Sequence, residues 1–281
     1  MFSVRRTQMI QDSDIIEQFD RDGAAVLRQA VSADWVEKLR AAAEEAFAHP
    51  SQFGRSHTPE GAAGGEFRVD RFIWLDHPVF RDFVLEGGLA ALAAKVLGSE
   101  RINFFYDHLF VKEPGSVEAT PWHNDLPYWP IRGSQICSFW LALDQVSERS
   151  GGLRYVRGSH KWNTLFQPVA ASDKDRHEWE GSTFQPLPDI DGNPDAYELL
   201  SWDLEPGDIL IHHGLTVHGA FGNSTVDRRR RGLATRWTGD DVIYDPRPGT
   251  MGLPVDPGLV AGQPLDSALF PRMIGPAPVA G

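Results

Sequence analysis

The spacing of apolar residues changes near position 100. Before it, Val36, Leu39, Ala43 and Phe47 recur at helical intervals in a segment that opens with Ala33-Asp34-Trp35. Ser32 is placed to cap that helix, and Asp34 and Glu37 complement the positive end of its dipole. A second helical stretch covers about Pro78 to Leu97 and stops before Gly98, so residues 12–100 are expected to be mainly helical. From Ile102 the pattern turns to short aromatic and β-branched runs: 102–112, 135–143, 153–156, 208–212 and 231–237. Glu113-Pro114-Gly115, Ser150-Gly151-Gly152 and Glu205-Pro206-Gly207 separate them as turns. Helices followed by many short strands predict an α+β protein, mainly β, built round an antiparallel barrel or sandwich.

Two segments depart from this pattern. Residues 161–200 are polar, interrupted by Pro168, Pro186, Pro188 and Pro194, and lack clear periodicity. Insertions of that length in a compact domain are usually lids or binding loops. Their aromatics, Trp162, Phe166, Trp179 and Phe184, would be exposed unless they fold over the barrel mouth. The Pro- and Gly-rich tail, 245–281, is expected to lie along the surface. With no internal repeat, the 281 residues read as one domain.

Composition narrows the functional classes. Sixteen Phe and 9 Trp within 41% hydrophobic content are ample for a core. A net charge of −12 argues against nucleic acid or an anionic membrane as partner, and Arg228-Arg229-Arg230-Arg231 is too short to reverse that. No apolar run approaches the roughly 20 residues needed to span a bilayer. The N-terminus lacks the apolar stretch of a secretory signal. Cys137 is the only cysteine, which excludes an internal disulfide and a Cys-rich zinc site. A cytoplasmic protein, monomeric or homodimeric, acting on a small molecule fits these bounds.

The candidate chemistry lies in Trp122-His123-Asn124-Asp125. Alternation along an extended strand would place His123 and Asp125 on one face with Asn124 turned away. One imidazole and one carboxylate together supply two of the three ligands of a 2-His-1-carboxylate iron site. The third must be a distant His, and residues 211–219 contain His212, His213 and His218. His213 competes with His218 but falls within a strand, whereas His218 precedes the turn Gly219-Ala220-Phe221-Gly222-Asn223. Most other histidines, including His160 and His177, are expected to be hydrogen-bonded structural groups. Two or three of the four consecutive arginines are expected to be solvated. Tyr128 and Trp129 directly follow the ligand segment and are candidate substrate contacts.

From about Phe19 to Trp237 the sequence resembles the phytanoyl-CoA dioxygenase family of iron(II)- and 2-oxoglutarate-dependent oxygenases. The matching pieces are Lys112-Glu113-Pro114-Gly115, Trp122-His123-Asn124-Asp125, Gly158-Ser159-His160, and His218-Gly219 with Asn223 before Arg230. The resemblance implies a double-stranded β-helix, a jelly-roll or cupin-like barrel over 102–238, with the N-terminal helices packed on one sheet. It implies His123, Asp125 and His218 as iron ligands, with 2-oxoglutarate and dioxygen as cosubstrates. Arg230 starts a strand of the form Arg-basic-small-aliphatic that matches the family's cosubstrate anchor. Counting from the distal His points instead to Arg229. Alternation favours Arg230, since it then shares a face with Gly232, Ala234 and Arg236. Trp140, Arg68 and His108 fall on further cosubstrate-contact positions. Ala220 is a departure, because the family often has Ser there.

The reaction implied is hydroxylation of an unactivated C–H bond, with release of succinate and carbon dioxide. Related halogenases have Ala or Gly at the carboxylate position, so Asp125 disfavours halogenation. Two rivals use the same donors: a zinc hydrolase, which needs no Arg beyond the distal His, and a non-catalytic cupin-like binder.

Overall fold

The computed structural model describes residues 12–168 and 184–276. Two antiparallel sheets dominate it, in keeping with the mainly β expectation. The larger has eight strands; its central members are Ile209–His213, Ile136–Ala142, Arg230–Thr238 and Ile102–Lys112, hydrogen-bonded in that order. The smaller has four, ordered Thr120–His123, His218–Ala220, Leu153–Val156 and Leu199–Ser201. Period-2 alternation splits the major sheet into two unlike faces. On one, Phe104, Phe139, Leu141, Ile211, Leu233 and Trp237 are buried in a large cluster with Phe19, Leu39, Phe83 and Val96 of the helices. On the other, Trp140, Ala142, Leu210 and Ala234 meet Leu153 and Tyr155 of the minor sheet. The helices thus support one face, which leaves the opposite face to build a cavity between the sheets.

The helix Ala33–Ala48 begins as anticipated, with Ser32 Oγ accepting from the Trp35 N–H at 3.4 Å. The stretch 78–97 is two helices, Pro78–Glu86 and Leu89–Leu97, because Gly87-Gly88 intervenes and Gly88 adopts φ 76°. The N-terminal part is also less helical than its periodicity suggests. Ala24–Leu27 pairs with Ile209–His213 at one edge of the major sheet, and Phe67–Arg71 pairs with Ile102–Lys112 near the other. Both segments are short and bounded by turns, and their strand state comes from the edges they complete.

The described tail is mostly at the surface as expected, but part of it enters the core. Leu265, Leu269 and Phe270 are buried with Phe105, Trp129 and Ile131, and Arg272–Ile274 pairs with the start of Ile102–Lys112. The centre of the anticipated lid, 169–183, lies outside the described residues. Its flanks belong to the barrel: Leu199–Ser201 is a strand, and Phe166 and Ile190 are buried with Trp122 and Val217.

Candidate active site

His123 ends the strand Thr120–His123 and pairs directly with His218 of the neighbouring strand. The pairing brings the two imidazole centroids to 4.2 Å. Each ring is held by a backbone carbonyl two residues earlier: His123 Nδ1 lies 2.8 Å from Pro121 O, and His218 Nδ1 lies 3.0 Å from Thr216 O. A proton on each Nδ1 satisfies those carbonyls and leaves each Nε2 lone pair directed into the cavity, the tautomer a metal ligand needs.

Asp125 reaches the same point by a route other than strand alternation. The strand ends at His123, and Asp125 adopts φ −75°, ψ −38° at the start of a 3-10 turn over Leu126–Tyr128. Its N–H donates to Gly214 O at 3.1 Å, which ties the turn to the strand carrying the other histidines. Asp125 Oδ1 lies 3.5 Å from His123 Nε2 and 4.0 Å from His218 Nε2. One ligand atom from each of the three residues falls within 4.8 Å of the others, a spacing that one metal ion spans. Asn124 is turned away as alternation would have it. Its Nδ2 donates to Thr164 O and its Oδ1 accepts from the Phe166 N–H, so the residue between the candidate ligands pins the flank of the insertion.

Burial alone would raise the Asp125 carboxyl, but the adjoining His123 and His212 imidazoles and the Arg236 cation hold it well below the usual range. Burial, reinforced by the neighbouring His123 and His212, pushes His218 well below 6.5 and keeps it neutral. An anionic carboxylate beside a neutral imidazole is the ionisation state in which these side chains bind a cation. The remaining histidines of the segment diverge. His213 points to the other side, where its Nε2 lies 2.7 Å from Ser134 O. His212 sits behind the site, its Nε2 3.5 Å from Asp125 Oδ2 and its Nδ1 3.3 Å from the Tyr155 hydroxyl.

The four consecutive arginines separate sharply. Arg228 donates to Gln145, Arg229 pairs with Glu44 and Glu113, and Arg231 pairs with Asp144 and Glu44. Arg230 alone is turned inward, 2% exposed, into the cavity of about 420 Å³ that also receives His123, Asp125 and His218. Its Nη2 donates to Gly151 O at 2.9 Å, its Nε has no partner, and it has no carboxylate within ion-pair distance among the described residues. Burial lowers its pKa to about 10, so it stays a cation at neutral pH. Trp140 lies beneath it, its ring centroid 5.4 Å from the guanidinium carbon, a cation–π contact.

Two motif residues brace these groups. Ser159 Oγ donates to Val156 O and accepts from the Val217 N–H, fixing the residue before His218. Asn223 Nδ2 donates to Lys112 O and Arg228 O, shaping the turn that leads into Arg230.

The family model described as phytanoyl-CoA dioxygenase (PhyH) matches residues 19–232. The chain belongs to this family. It is 26% identical over 173 residues to a probable phytanoyl-CoA dioxygenase of Caenorhabditis elegans, an alignment covering 59% of this chain and 53% of the relative. With the human peroxisomal phytanoyl-CoA dioxygenase it shares 29% over 150 residues, covering 50% and 41% respectively. The chain thus spans about half the length of these relatives. Among solved structures, the epimerase SnoN in complex with Fe3+, alpha ketoglutarate and nogalamycin RO superimposes with a TM-score of 0.68 at 24% identity, covering 93% of this chain and 98% of that one. That likeness places this member of the phytanoyl-CoA dioxygenase family on the same fold.

The other expected contacts are placed unevenly. His108 faces the cavity, its ring tilted against Phe110 with centroids 4.0 Å apart, and burial keeps it neutral. Tyr128 lines the cavity with its ring 5.8 Å from His123. Trp129 lines the cavity but is mostly core: it is 1% exposed and its indole N–H donates to the Tyr106 hydroxyl at 2.8 Å. Arg68 does not reach the cavity. It lies over the Phe47 ring and pairs with Glu66 and Glu113, because alternation along Phe67–Arg71 turns positions 67, 69 and 71 inward instead. The basic residue that this strand presents to the cavity is Arg71, which sequence spacing did not single out. Phe53 and His57, from the N-terminal part expected to be mainly helical, and Met251, from the tail, also line the cavity.

Proposed function

We propose that this chain is an iron(II)- and 2-oxoglutarate-dependent dioxygenase that hydroxylates a C–H bond of a small molecule, its two sheets forming a double-stranded β-helix. The observation that carries the reading is the meeting, in one cavity, of three metal-type donors with a buried arginine that has no acidic partner among the described residues. A zinc hydrolase would leave Arg230 a buried, unpaired cation without purpose, which is costly to maintain.

His123 Nε2, His218 Nε2 and an Asp125 oxygen would hold iron on one side, leaving the cavity side open for cosubstrate. Arg230 would take the distal carboxylate of 2-oxoglutarate through its planar fork, with Trp140 fixing the guanidinium plane. Ala220, which lines the cavity where the family often has Ser, offers the cosubstrate no hydroxyl. Bound together, iron(II) and 2-oxoglutarate supply the activation of dioxygen, with succinate and carbon dioxide as products. Tyr128, His108 and the aromatic wall would exclude water and set which C–H bond faces the metal.

The test is anaerobic addition of iron(II) and then 2-oxoglutarate to the metal-free protein. A visible charge-transfer band that needs both additions, with succinate released once air is admitted, is the expected result. Equal or better activity with zinc, and no 2-oxoglutarate consumption, would overturn the assignment.

A further inference from the structure

Beyond the groups already assigned, three more arginines line the cavity: Arg55, which is exposed, and the more deeply placed Arg71 and Arg236. Arg71 ends the strand Phe67–Arg71, and Arg236 lies on Arg230–Thr238. Both pair with Ile102–Lys112, Arg71 opposite His108 and Arg236 opposite Tyr106, so they flank those two cavity-facing rings. Arg236 is 5% exposed, and neither its Nε nor its Nη1 has a hydrogen-bond partner. Arg71 Nε is likewise buried without a partner. What holds them is aromatic: the Arg236 guanidinium carbon sits 4.4 Å from the Tyr106 ring centroid and that of Arg71 sits 4.5 Å from the Phe53 centroid.

No ion pair neutralises either guanidinium among the described residues. The acidic groups that act on them are engaged elsewhere: Asp125 with the metal donors, Asp70 with Ser51 and the Arg71 backbone N–H, and Asp107 with the Trp74 N–H. Tyr106 adds a third polar group, since its hydroxyl accepts from the Trp129 indole N–H and keeps its own hydrogen to donate. Buried donors are normally satisfied, and buried charges are normally paired. Two such cations on one wall therefore define a place for an anion.

The cosubstrate cannot be that anion while it is held by Arg230. Arg230 and Arg236 lie on the same face of one strand, six residues apart, and so about 20 Å apart along the backbone at the usual rise per residue. A five-carbon dicarboxylate anchored between Arg230 and the metal is too short to reach beyond it. With iron(II), Asp125, 2-oxoglutarate and Arg230 balancing in charge, Arg71 and Arg236 remain as cavity cations that the cosubstrate does not pair with. Around them stand Phe53, Tyr128, Trp129 and Met251.

We propose that Arg71, Arg236 and the Tyr106 hydroxyl form a second anion subsite, which takes the carboxylate of a primary substrate with an aromatic or similarly flat apolar body. This rests on the dioxygenase reading for the identity of the cosubstrate but not for the subsite itself. The planar forks match a carboxylate, and the aromatic wall matches the body behind it.

The experiment uses protein loaded anaerobically with iron(II) and 2-oxoglutarate. Benzoate, phenylacetate and 2-naphthoate are titrated by calorimetry against benzamide, phenylacetamide and 2-naphthamide. The expected result is that at least one acid binds tenfold or more tightly than its amide, and that the preference disappears in R71Q/R236Q while the charge-transfer band is retained. A second readout needs no probe. An unpaired buried cation burdens the empty protein, so Arg236→Met should raise the Tm of the loaded, substrate-free form. No acid–amide preference together with a lowered Tm in Arg236→Met would overturn the subsite. So would a loss of 2-oxoglutarate affinity in Arg236→Gln as large as in Arg230→Gln, which would assign Arg236 to the cosubstrate. Failure of the wild type to bind iron and 2-oxoglutarate would instead sink the dioxygenase reading, and the acid–amide comparison can then be run on the metal-free protein.

Discussion

Adding one methyl group at Gly232 should damage the cosubstrate end of the cavity. Gly232 lies mid-strand with ordinary extended backbone, so the cost of Gly232→Ala is steric and not conformational. An added Cβ would come within 2.6 Å of Trp140 Cη2 and closer still to Cζ2 and Cε2. Carbon atoms prefer about 3.5–4.0 Å, so the indole must move by an ångström or more. It has little room, since Trp140 is 3% exposed and packs among Ala234, Leu210 and Tyr155. Overpacking of this kind costs about 1–3 kcal/mol. The displaced ring also ceases to support Arg230, and a loss of about 1.4 kcal/mol there weakens 2-oxoglutarate binding roughly tenfold. Trp140→Leu removes the clashing atoms, so in that background Gly232→Ala should cost close to nothing. Urea denaturation of the four proteins of this cycle reads the coupling, expected at about 1–3 kcal/mol, and anaerobic titration reads the cosubstrate affinity. Strictly additive costs, or an unchanged 2-oxoglutarate affinity in Gly232→Ala, would refute the account of Trp140 as the floor beneath Arg230.

Arg230→Gln should weaken 2-oxoglutarate binding by about 2–4 kcal/mol, the worth of a charge-assisted bidentate pair, while Arg228→Gln and Arg229→Gln leave it nearly unchanged; a dominant effect at Arg229 would move the anchor by one residue. Replacing His123, Asp125 or His218 by Ala should abolish tight iron(II) binding in equilibrium dialysis yet keep cooperative unfolding, and retained binding in Asp125→Ala would remove that residue from the site. Asp107 is fully buried, with its Oδ2 accepting from the Trp74 N–H and its Oδ1 unpartnered, and burial raises its pKa to about 7. The native state therefore keeps a proton that the unfolded chain releases near pH 4, so this group's stabilisation is complete below about pH 4 and fades as pH rises through 7, by up to roughly 1.4 kcal/mol per unit. Asp107→Asn should accordingly gain stability relative to the wild type between pH 5 and 8, and a difference that does not vary with pH would exclude this titration.

By itself the sequence determined the parts whose physics is local. Period-2 runs from Ile102 onward, broken by Pro-Gly and Gly-Gly turns, are enough to specify antiparallel strands, and Ser32 with its amphipathic segment is enough to start a helix. His123, Asp125, His218 and Arg230 were named through the resemblance to the family: ligand chemistry alone left the third donor open among the histidines of 211–219, and strand parity favoured Arg230 over Arg229. Tertiary structure decided the rest, because the deciding contacts join segments far apart in the chain. Asp125 is aimed by a turn anchored to Gly214, which strand parity cannot anticipate. Phe67–Arg71 is too short to declare itself a strand, and only its pairing with Ile102–Lys112 turns Arg71 inward and Arg68 outward. The tail reads as surface by its Pro and Gly content, yet Leu269 and Phe270 are buried against Phe105, a contact between segments more than 150 residues apart that local composition does not reveal. The unpaired charge of Arg71 and Arg236 is likewise a property of the assembled cavity. It depends on which carboxylates fail to reach them, and that is a matter of packing between strands.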